Sequence, residues 1–350
     1  MRNIKRIISA AIFCAIVFTL CGCNTQKNPR QASYFGYFDT VSNILSFGED
    51  SRREFDEKSS AAAALLGEYH RLFDIYNEYP NLNNLCTVNK KAGGEPIEVD
   101  KRLVDFLLYS KEMYTLTGGE MNVMMGSVLK LWHDARAAAS KDAKNAAIPE
   151  MEKLVAAMEH TDISLLEIDA EKSTVRISDP AARIDVGALG KGYATEQAAK
   201  YLESLGAESY VLNIGGNIRI IGHKPDGTGW VTGVTNPLAP SSGSYAYYLN
   251  IADTSCVTSG DYERNFTVDG KKYHHIIDKD TLMPADYFSS ITVITKDSGM
   301  ADALSTALFS MSYEDGMALL EKIPYDVEVL WIDKNGNQFK SNGFEKYDNK

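Results

Sequence analysis

The chain has 350 residues, 44% of them apolar and 24% charged, so it can bury a sizeable core in one large domain or two modest ones. Its formal net charge is −11 at pH 7. A body this acidic repels phosphate backbones, which argues against nucleic acid as a partner.

The amino terminus reads as a targeting segment. Arg2, Lys5 and Arg6 give a positive start, and Ile7 to Leu20 is an apolar run too short to span a bilayer comfortably. The run ends Leu20-Cys21-Gly22-Cys23, which is similar to a bacterial lipobox with Cys23 as the lipidated residue. The alternative is an ordinary secretory signal in which Cys23 is incidental. The expected organisation is a lipoprotein signal over 1–22, a polar tether over 23–33 and one domain over 34–350. The expected location is the extracytoplasmic face of the cell membrane, held by acyl chains. Of the cysteines beyond Cys23, Cys86 and Cys256 could form one disulfide in an oxidising compartment, though two isolated buried thiols is the blander reading.

Tyr34 to Phe47 reads as the first strand. Phe55 to Tyr79 reads as a helix, with Leu65, Leu66, Tyr69, Leu72, Phe73 and Tyr76 at helical spacing, ended by Pro80 and an Asn cluster. Leu103 to Leu116 is a second helix, stopped by Gly118-Gly119. Residues 134–147 are Ala- and Lys-rich and predict an exposed helix or a mobile excursion. Pro149 opens a short helix to about Glu159. A hairpin follows over Leu165 to Ile177, then a short strand over Ala182 to Val186 and a helix from about Leu189 to Leu205. Tyr210 to Ile214 is an apolar strand that Gly215-Gly216 breaks and Ile218 to Ile221 continues. Trp230 to Val268 alternates like antiparallel sheet. Ile291 to Thr295 is a strand, Ala301 to Met311 and Tyr313 to Lys322 are helices, and Val327 to Phe339 is a final hairpin. The fold class is α+β, with mixed, largely antiparallel sheets and packed helices.

Four clusters hold polar and Gly residues where a plain core would not. Asp185-Val-Gly-Ala-Leu-Gly-Lys-Gly-Tyr193 opens through glycines into a helix, offering N–H groups, a positive helix end and Lys191 to an anion; a structural Gly turn is the alternative. Leu212-Asn-Ile-Gly-Gly-Asn217 lets a ligand or strand approach closely, or is a β-bulge. Thr258-Ser-Gly-Asp-Tyr-Glu-Arg264 is followed by Tyr273-His-His-Ile-Ile-Asp278, where adjacent His on a strand face opposite ways, so one at most serves a given site. Ala301-Asp-Ala-Leu-Ser-Thr306 places Asp302 and Thr306 at i and i+4, oxygen ligands on one helix face suited to Mg²⁺. The alternative there is an Asp302 that caps the helix.

In this order the clusters resemble the ApbE family, the FAD:protein FMN transferases, over nearly the whole chain from Phe38 to about Met311. The resemblance implies an ApbE-like fold related to the T-fold, and Mg²⁺ held by Asp302, Thr306 and the backbone carbonyl of Ala188. It implies flavin contacts from Asp185, Lys191 and Tyr76, and His275 as the base, with Ile276 beside it. Three places depart from the family pattern. Gly118-Gly-Glu120-Met121-Asn122 carries an amide where the family has an acid that contacts FAD. Phe38-Asp39-Thr40 replaces Met-Gly-Thr at the isoalloxazine platform. Ile276-Ile-Asp-Lys-Asp-Thr-Leu282 replaces Ile-Ile-Asp-Pro-x-Thr-Gly.

The implied reaction is transfer of FMN from FAD to a Thr or Ser hydroxyl of an exported or membrane protein carrying a Ser/Asp-Gly-Ala/Ser-Thr motif, with release of AMP. The rivals are an FAD diphosphatase with water as acceptor, a non-catalytic flavin-binding lipoprotein, and a solute-binding lipoprotein, which would need paired lobes that the chain does not display.

Overall fold

A computed structural model describes residues 29–349. The expected signal segment and Cys23 lie outside the described residues. Residues 30–33, expected in the tether, already belong to a strand. The chain opens with a hairpin of β1 (Arg30–Tyr37) and β2 (Thr40–Ser46) in place of the single strand expected over Tyr34 to Phe47. Its two-residue turn, Phe38-Asp39, has both φ values positive, at 52° and 54°. That backbone suits the right-handed twist of a hairpin, and it is hidden from sequence reading because neither residue is Gly.

Helix α1 (Arg52–Phe73) starts on a reciprocal cap: Glu54 N–H donates to Ser51 Oγ at 3.2 Å, and Ser51 N–H donates to Glu54 Oε2 at 2.7 Å. It stops earlier than its apolar spacing predicts. The Asp74 carboxylate accepts the N–H groups of Tyr76 and Asn77 at 2.7 and 2.9 Å, which turns the chain and leaves Tyr76 outside the helix. Helix α2 (Leu85–Lys90), strand β3 (Ile97–Glu98) and helix α3 (Lys101–Leu116) follow. Helix α4 (Gly126–Lys141) takes in 134–141, the exposed helix of the two alternatives for that segment, and is anchored by its earlier turns, where Val128 and Trp132 are buried and Trp132 Nε1–H donates to the Leu282 carbonyl at 3.0 Å. Helix α5 (Met151–Met158) packs on α4.

Strands β4 (Leu166–Asp169) and β5 (Thr174–Ile177) form the expected hairpin. Residues 182–186 form no strand. The Asn89 side chain serves Ile184 from both sides, accepting its N–H at 2.7 Å and donating to its carbonyl at 2.9 Å, and so stands in for a neighbouring strand. Helix α6 (Gly190–Ser204) leads to β6 (Tyr210–Ile214) and β7 (Asn217–Ile221). Gly215 and Gly216, at φ 56° and 94°, reverse the chain, so β7 folds back on β6 and does not extend it. The remainder is β8 (Trp230–Thr235), β9 (Tyr245–Ile251), β10 (Ser255–Gly260), β11 (Phe266–Val268), β12 (Lys271–Tyr273), β13 (Ser290–Thr295), α7 (Ser298–Phe309), α8 (Tyr313–Leu320), β14 (Val327–Ile332) and β15 (Gln338–Lys340).

Eight strands make the central sheet in the order β1-β2-β6-β7-β10-β13-β14-β15. Every ladder between named strands is antiparallel, and a single parallel bridge joins Met125 to Arg183. Alternation along the strands feeds two cores. Ile44, Leu212, Val257 and Val293 face the helices, while Leu45, Val211, Cys256 and Ile294 face a layer that includes the β8–β9 hairpin. Cys86 and Cys256 are both buried free thiols.

One charged residue crosses this pattern. Arg219, in the middle of β7, is 1% exposed; it donates to Glu196 of α6 at 3.1 Å and to Glu203 at 3.0 Å. Glu196 also accepts the Ser298 N–H, the first of α7, at 3.0 Å. Removing one side of such a pair leaves an uncompensated buried charge, so Arg219→Ala should cost roughly 3–5 kcal/mol in urea unfolding. The double variant Glu196→Gln/Arg219→Met should lose less than the two single losses added together. A loss under about 1 kcal/mol for Arg219→Ala would show that the pair is not structural.

Candidate functional site

Asp302 lies in the second turn of α7 and does not cap it. The cap is Asp297, whose carboxylate accepts the Met300 N–H at 2.9 Å. Asp302 is 5% exposed, and Oδ2 accepts the Gly192 N–H at 2.8 Å. Burial pushes its carboxyl up, against the pull of Lys191, the Gly192 N–H, Asn217 and Arg264. The close approach requires Gly192, since a Cβ there would run into the Ser298 carbonyl oxygen and the Asp302 Cβ. Ser305, on the same helix, is bonded to Ser259 of β10 at 2.8 Å. Thr306 is half-buried, and the turn carrying Ala188 enters α6 one helical turn before Gly192.

These groups fit a hard cation. Among the described residues no group of three or more His, Cys, Asp or Glu could hold a metal. A cation here would therefore rest on one carboxylate completed by hydroxyl and carbonyl oxygens, a donor set that Mg²⁺ accepts. A buried carboxylate that makes no ion pair among the described residues is the observation that supports the fit.

Lys191 reaches from the first turn of α6 to the β6–β7 turn, donating to Asn217 Oδ1 at 3.0 Å and to the Gly215 carbonyl at 3.3 Å. The turn after β6 thus anchors the Lys191 ammonium, whose charge acts on Asp302.

His274 and His275 follow β12 on irregular backbone, yet they part as expected. His274 donates through Nε2 to the Ala285 carbonyl at 2.9 Å, accepts the Ile276 N–H at Nδ1 at 3.3 Å, and packs edge-on against Phe309. It is a structural residue. His275 has a buried Nδ1 with no hydrogen-bond partner among the described residues, which leaves Nε2 as the nitrogen open to a substrate. Burial, then the charges of Arg264, Arg136, His274 and Lys191, hold its pKa well below the ordinary histidine value.

The same cations reach further. Tyr76 Oη and His133 Nδ1 are 3.1 Å apart, and His133 Nδ1 lies 3.7 Å from Asp185 Oδ2. Burial lowers the His133 pKa, opposed by Asp185 and assisted by Arg136 and Arg264. Asp185 is also fixed by the Gly187 N–H at 2.9 Å. Asp302, Lys191, His275, Asp185 and Tyr76 are thereby joined in one electrostatic cluster. His133, Arg136 and Arg264 belong to it too, and the sequence reading gave none of them a role. The usable signal was helical spacing, because Val128, Trp132 and Arg136 follow one another at i+4.

Other expected contacts are committed elsewhere. Met121 is 1% exposed and packs in the main core. Asn122 locks its own loop, donating to the Thr161 carbonyl at 2.9 Å and accepting the Met124 N–H at 2.9 Å. The amide at this position thus has a structural role. Ile276 is buried, with its backbone carbonyl taken by the Ala285 N–H. Glu120 is half-buried beside Lys279 at 3.3 Å; burial raises its pKa and Lys279 opposes the rise. Phe38 sits at the hairpin tip, its N–H donated to His70 Nδ1 at 3.2 Å.

The sequence profile of the ApbE family matches residues 38–331. The FAD:protein FMN transferase of Vibrio cholerae is 31% identical over 328 residues, covering 93% of this chain and 94% of that protein. That of Treponema pallidum is also 31% identical, over 71% of this chain and 70% of its own length. The crystal structure of the ApbE protein from Thermotoga maritima superposes with a TM-score of 0.79 at 27% identity, covering 92% of this chain and all of that one. The flavin transferase ApbE of Vibrio cholerae superposes with a TM-score of 0.73 at 26% identity, over 91% of this chain and all of its own. This chain belongs to the ApbE family.

The contact between Gly192 and Asp302 makes a sharp demand. Gly192→Ala should push α6 and α7 apart and cost roughly 1–3 kcal/mol, as overpacking does. Thermal unfolding followed by circular dichroism checks the loss. A melting temperature equal to the parent's would show that the helices do not meet there.

Proposed function

We propose that this chain transfers FMN from FAD to a hydroxyl of another protein and releases AMP. The observation that carries the reading is the buried Asp302 carboxylate held by the Gly192 N–H of α6, with Lys191 of the same helix turn anchored on the β6–β7 turn, in a chain whose relatives are named FAD:protein FMN transferases. His275 takes the proton of the attacking hydroxyl at Nε2. The hydroxyl oxygen bonds to the FMN phosphorus, and the bond from that phosphorus to the oxygen bridging the AMP phosphate breaks. Asp302, Thr306 and the Ala188 carbonyl would hold Mg²⁺, whose charge neutralises the diphosphate oxygens. Lys191 adds a fixed cation beside them. Tyr76, largely exposed and 3.1 Å from His133, offers a ring to the flavin.

The acceptor is an exported or membrane protein with a Ser/Asp-Gly-Ala/Ser-Thr motif. The enzyme meets it at the extracytoplasmic face of the membrane, where lipid on Cys23 retains the body. Water at about 55 M competes for the same phosphorus, so the acceptor hydroxyl has to be positioned, which can be worth an effective molarity of roughly 10⁵ M.

The test incubates the enzyme with FAD, Mg²⁺ and an acceptor bearing the motif, then views a denaturing gel for flavin fluorescence. A fluorescent acceptor band is expected, lost with acceptor Thr→Val, with Asp302→Asn and with His275→Ala. His274→Ala should retain labelling and lose about 1–3 kcal/mol of stability. AMP and free FMN with no labelled acceptor would contradict transfer and leave a diphosphatase.

A further inference from the structure

Tyr76 is fixed at both ends although its ring is open to solvent. At the backbone, its N–H donates to the Asp74 carboxylate at 2.7 Å, and the Asn77 N–H and Tyr79 Oη–H donate to the same carboxylate at 2.9 Å. At the other end, its hydroxyl lies 3.1 Å from His133 Nδ1. Between these two ties the residue is 62% exposed. An exposed tyrosine ordinarily keeps its rotamer freedom. A ring held at both ends is instead a preformed surface, ready for a group from outside the chain.

His133 is held in turn. Its Nδ1 lies 3.7 Å from the Asp185 carboxylate, which is buried and fixed by the Gly187 N–H. The preceding residue, Trp132, is buried, stacks on Tyr273 with ring centroids 6.0 Å apart, and donates to the Leu282 carbonyl. Tyr273 and Leu282 flank the segment that carries His275. A line of contacts therefore runs from the exposed ring through His133 to the turn that enters α6 and, by way of Trp132, to the His275 segment. The phenol suits either tautomer of the imidazole: its O–H donates to a bare Nδ1, and its oxygen accepts from a protonated one. The tie does not depend on which nitrogen carries the proton.

We propose that His133 is a positioning residue: it sets the angle of the Tyr76 ring, so that the ring stands as a rigid wall for a planar aromatic group of the substrate. The identity of that group, the flavin of the dinucleotide, rests on the flavin-transfer reading; the tie between His133 and Tyr76 does not. His133 acts through the ring and touches no reacting atom. Without it the ring would swing on its side-chain torsions, and binding would have to order it, at a cost in affinity. Asp185 and Trp132 keep the imidazole itself in place. The angle of the exposed ring is thereby referred to the elements that carry Lys191 and His275.

The test is a double-variant cycle read by equilibrium binding of FAD, followed by flavin fluorescence. Tyr76→Phe keeps the ring and loses the tie; His133→Ala keeps the hydroxyl and loses its partner. Each should raise the Kd for FAD about fivefold, and the double variant should bind no more weakly than the worse of the two, as for residues that act as one unit. His133→Asn, whose amide reaches the place of Nδ1, should recover most of the affinity. A merely structural His133 would give losses that multiply and that Asn does not repair. Melting curves show that each variant folds. Multiplying losses would overturn the proposal, as would an unchanged Kd in His133→Ala. Fluorine NMR of protein labelled with 3-fluorotyrosine reads the tie without any ligand. The Tyr76 signal, identified by its absence from Tyr76→Phe, should shift and sharpen in His133→Ala and stay in place in His133→Asn; a signal unmoved in His133→Ala would also overturn the proposal. Acceptor labelling by the parent enzyme is scored separately. A parent that labels while the two losses multiply refutes the positioning role alone. A parent that fails to label, with a cycle whose losses do not multiply, refutes transfer and leaves the positioning role standing.

Discussion

The buried pair of Arg219 and Glu196 fixes the relation on which the site depends. One carboxylate of α6 holds a guanidinium from the middle of β7 and the first N–H of α7 together. Lys191 lies on that same α6, Asn217 on that same β7, and Asp302 and Thr306 on that same α7. A buried ion pair is a weak source of stability against an apolar replacement, because both ions lose water. Its geometry is demanding, however, and here the demand is placed on the three elements that carry the polar groups. Gly192 completes the arrangement by letting α6 and α7 close until a backbone N–H meets the Asp302 carboxylate.

Charge is sorted within the molecule. The chain is acidic overall, yet the charges that act on His275 are those of Arg264, Arg136, His274 and Lys191. Their field and the burial of the ring both favour the neutral imidazole, the form that can accept a proton. Asp302 experiences the reverse conflict: burial disfavours its charge while Lys191 and Arg264 favour it. A divalent cation at Asp302 would offset the cost of its burial, and an anionic substrate would offset the positive charge that acts on His275. The field reaches His133 and Tyr76 as well, so the rim of the site responds to the same charges as its centre.

Local signals were legible in the sequence and distant partnerships were not. Helix α1 was evident from the apolar spacing of Leu66, Tyr69, Leu72 and Phe73, but its end was overrun because Asp74 closes it through a turn that periodicity does not register. The Gly215-Gly216 pair marked a break, and only the pairing of β6 with β7 reveals a reversal. Ile184 looked like strand because Ala182, Ile184 and Val186 alternate with Arg183 and Asp185; its partner is a side chain 95 positions away. Asp302 and Thr306 were singled out by their i, i+4 spacing, and α7 does carry both. Glu196 and His133 were not, since each takes its meaning from a partner brought in by the fold. Asn122, which looked like a change in a ligand contact, holds a loop.

The account turns on Asp302 as the carboxylate of a divalent-cation site set against Lys191 and His275. Crystals grown with FAD and soaked in Mn²⁺, with data collected above the manganese absorption edge, locate such a cation directly. The account predicts an anomalous peak bounded by Asp302, Thr306 and the Ala188 carbonyl, and its disappearance in Asp302→Asn. A peak at other side chains, or one that persists unchanged in Asp302→Asn, would contradict it.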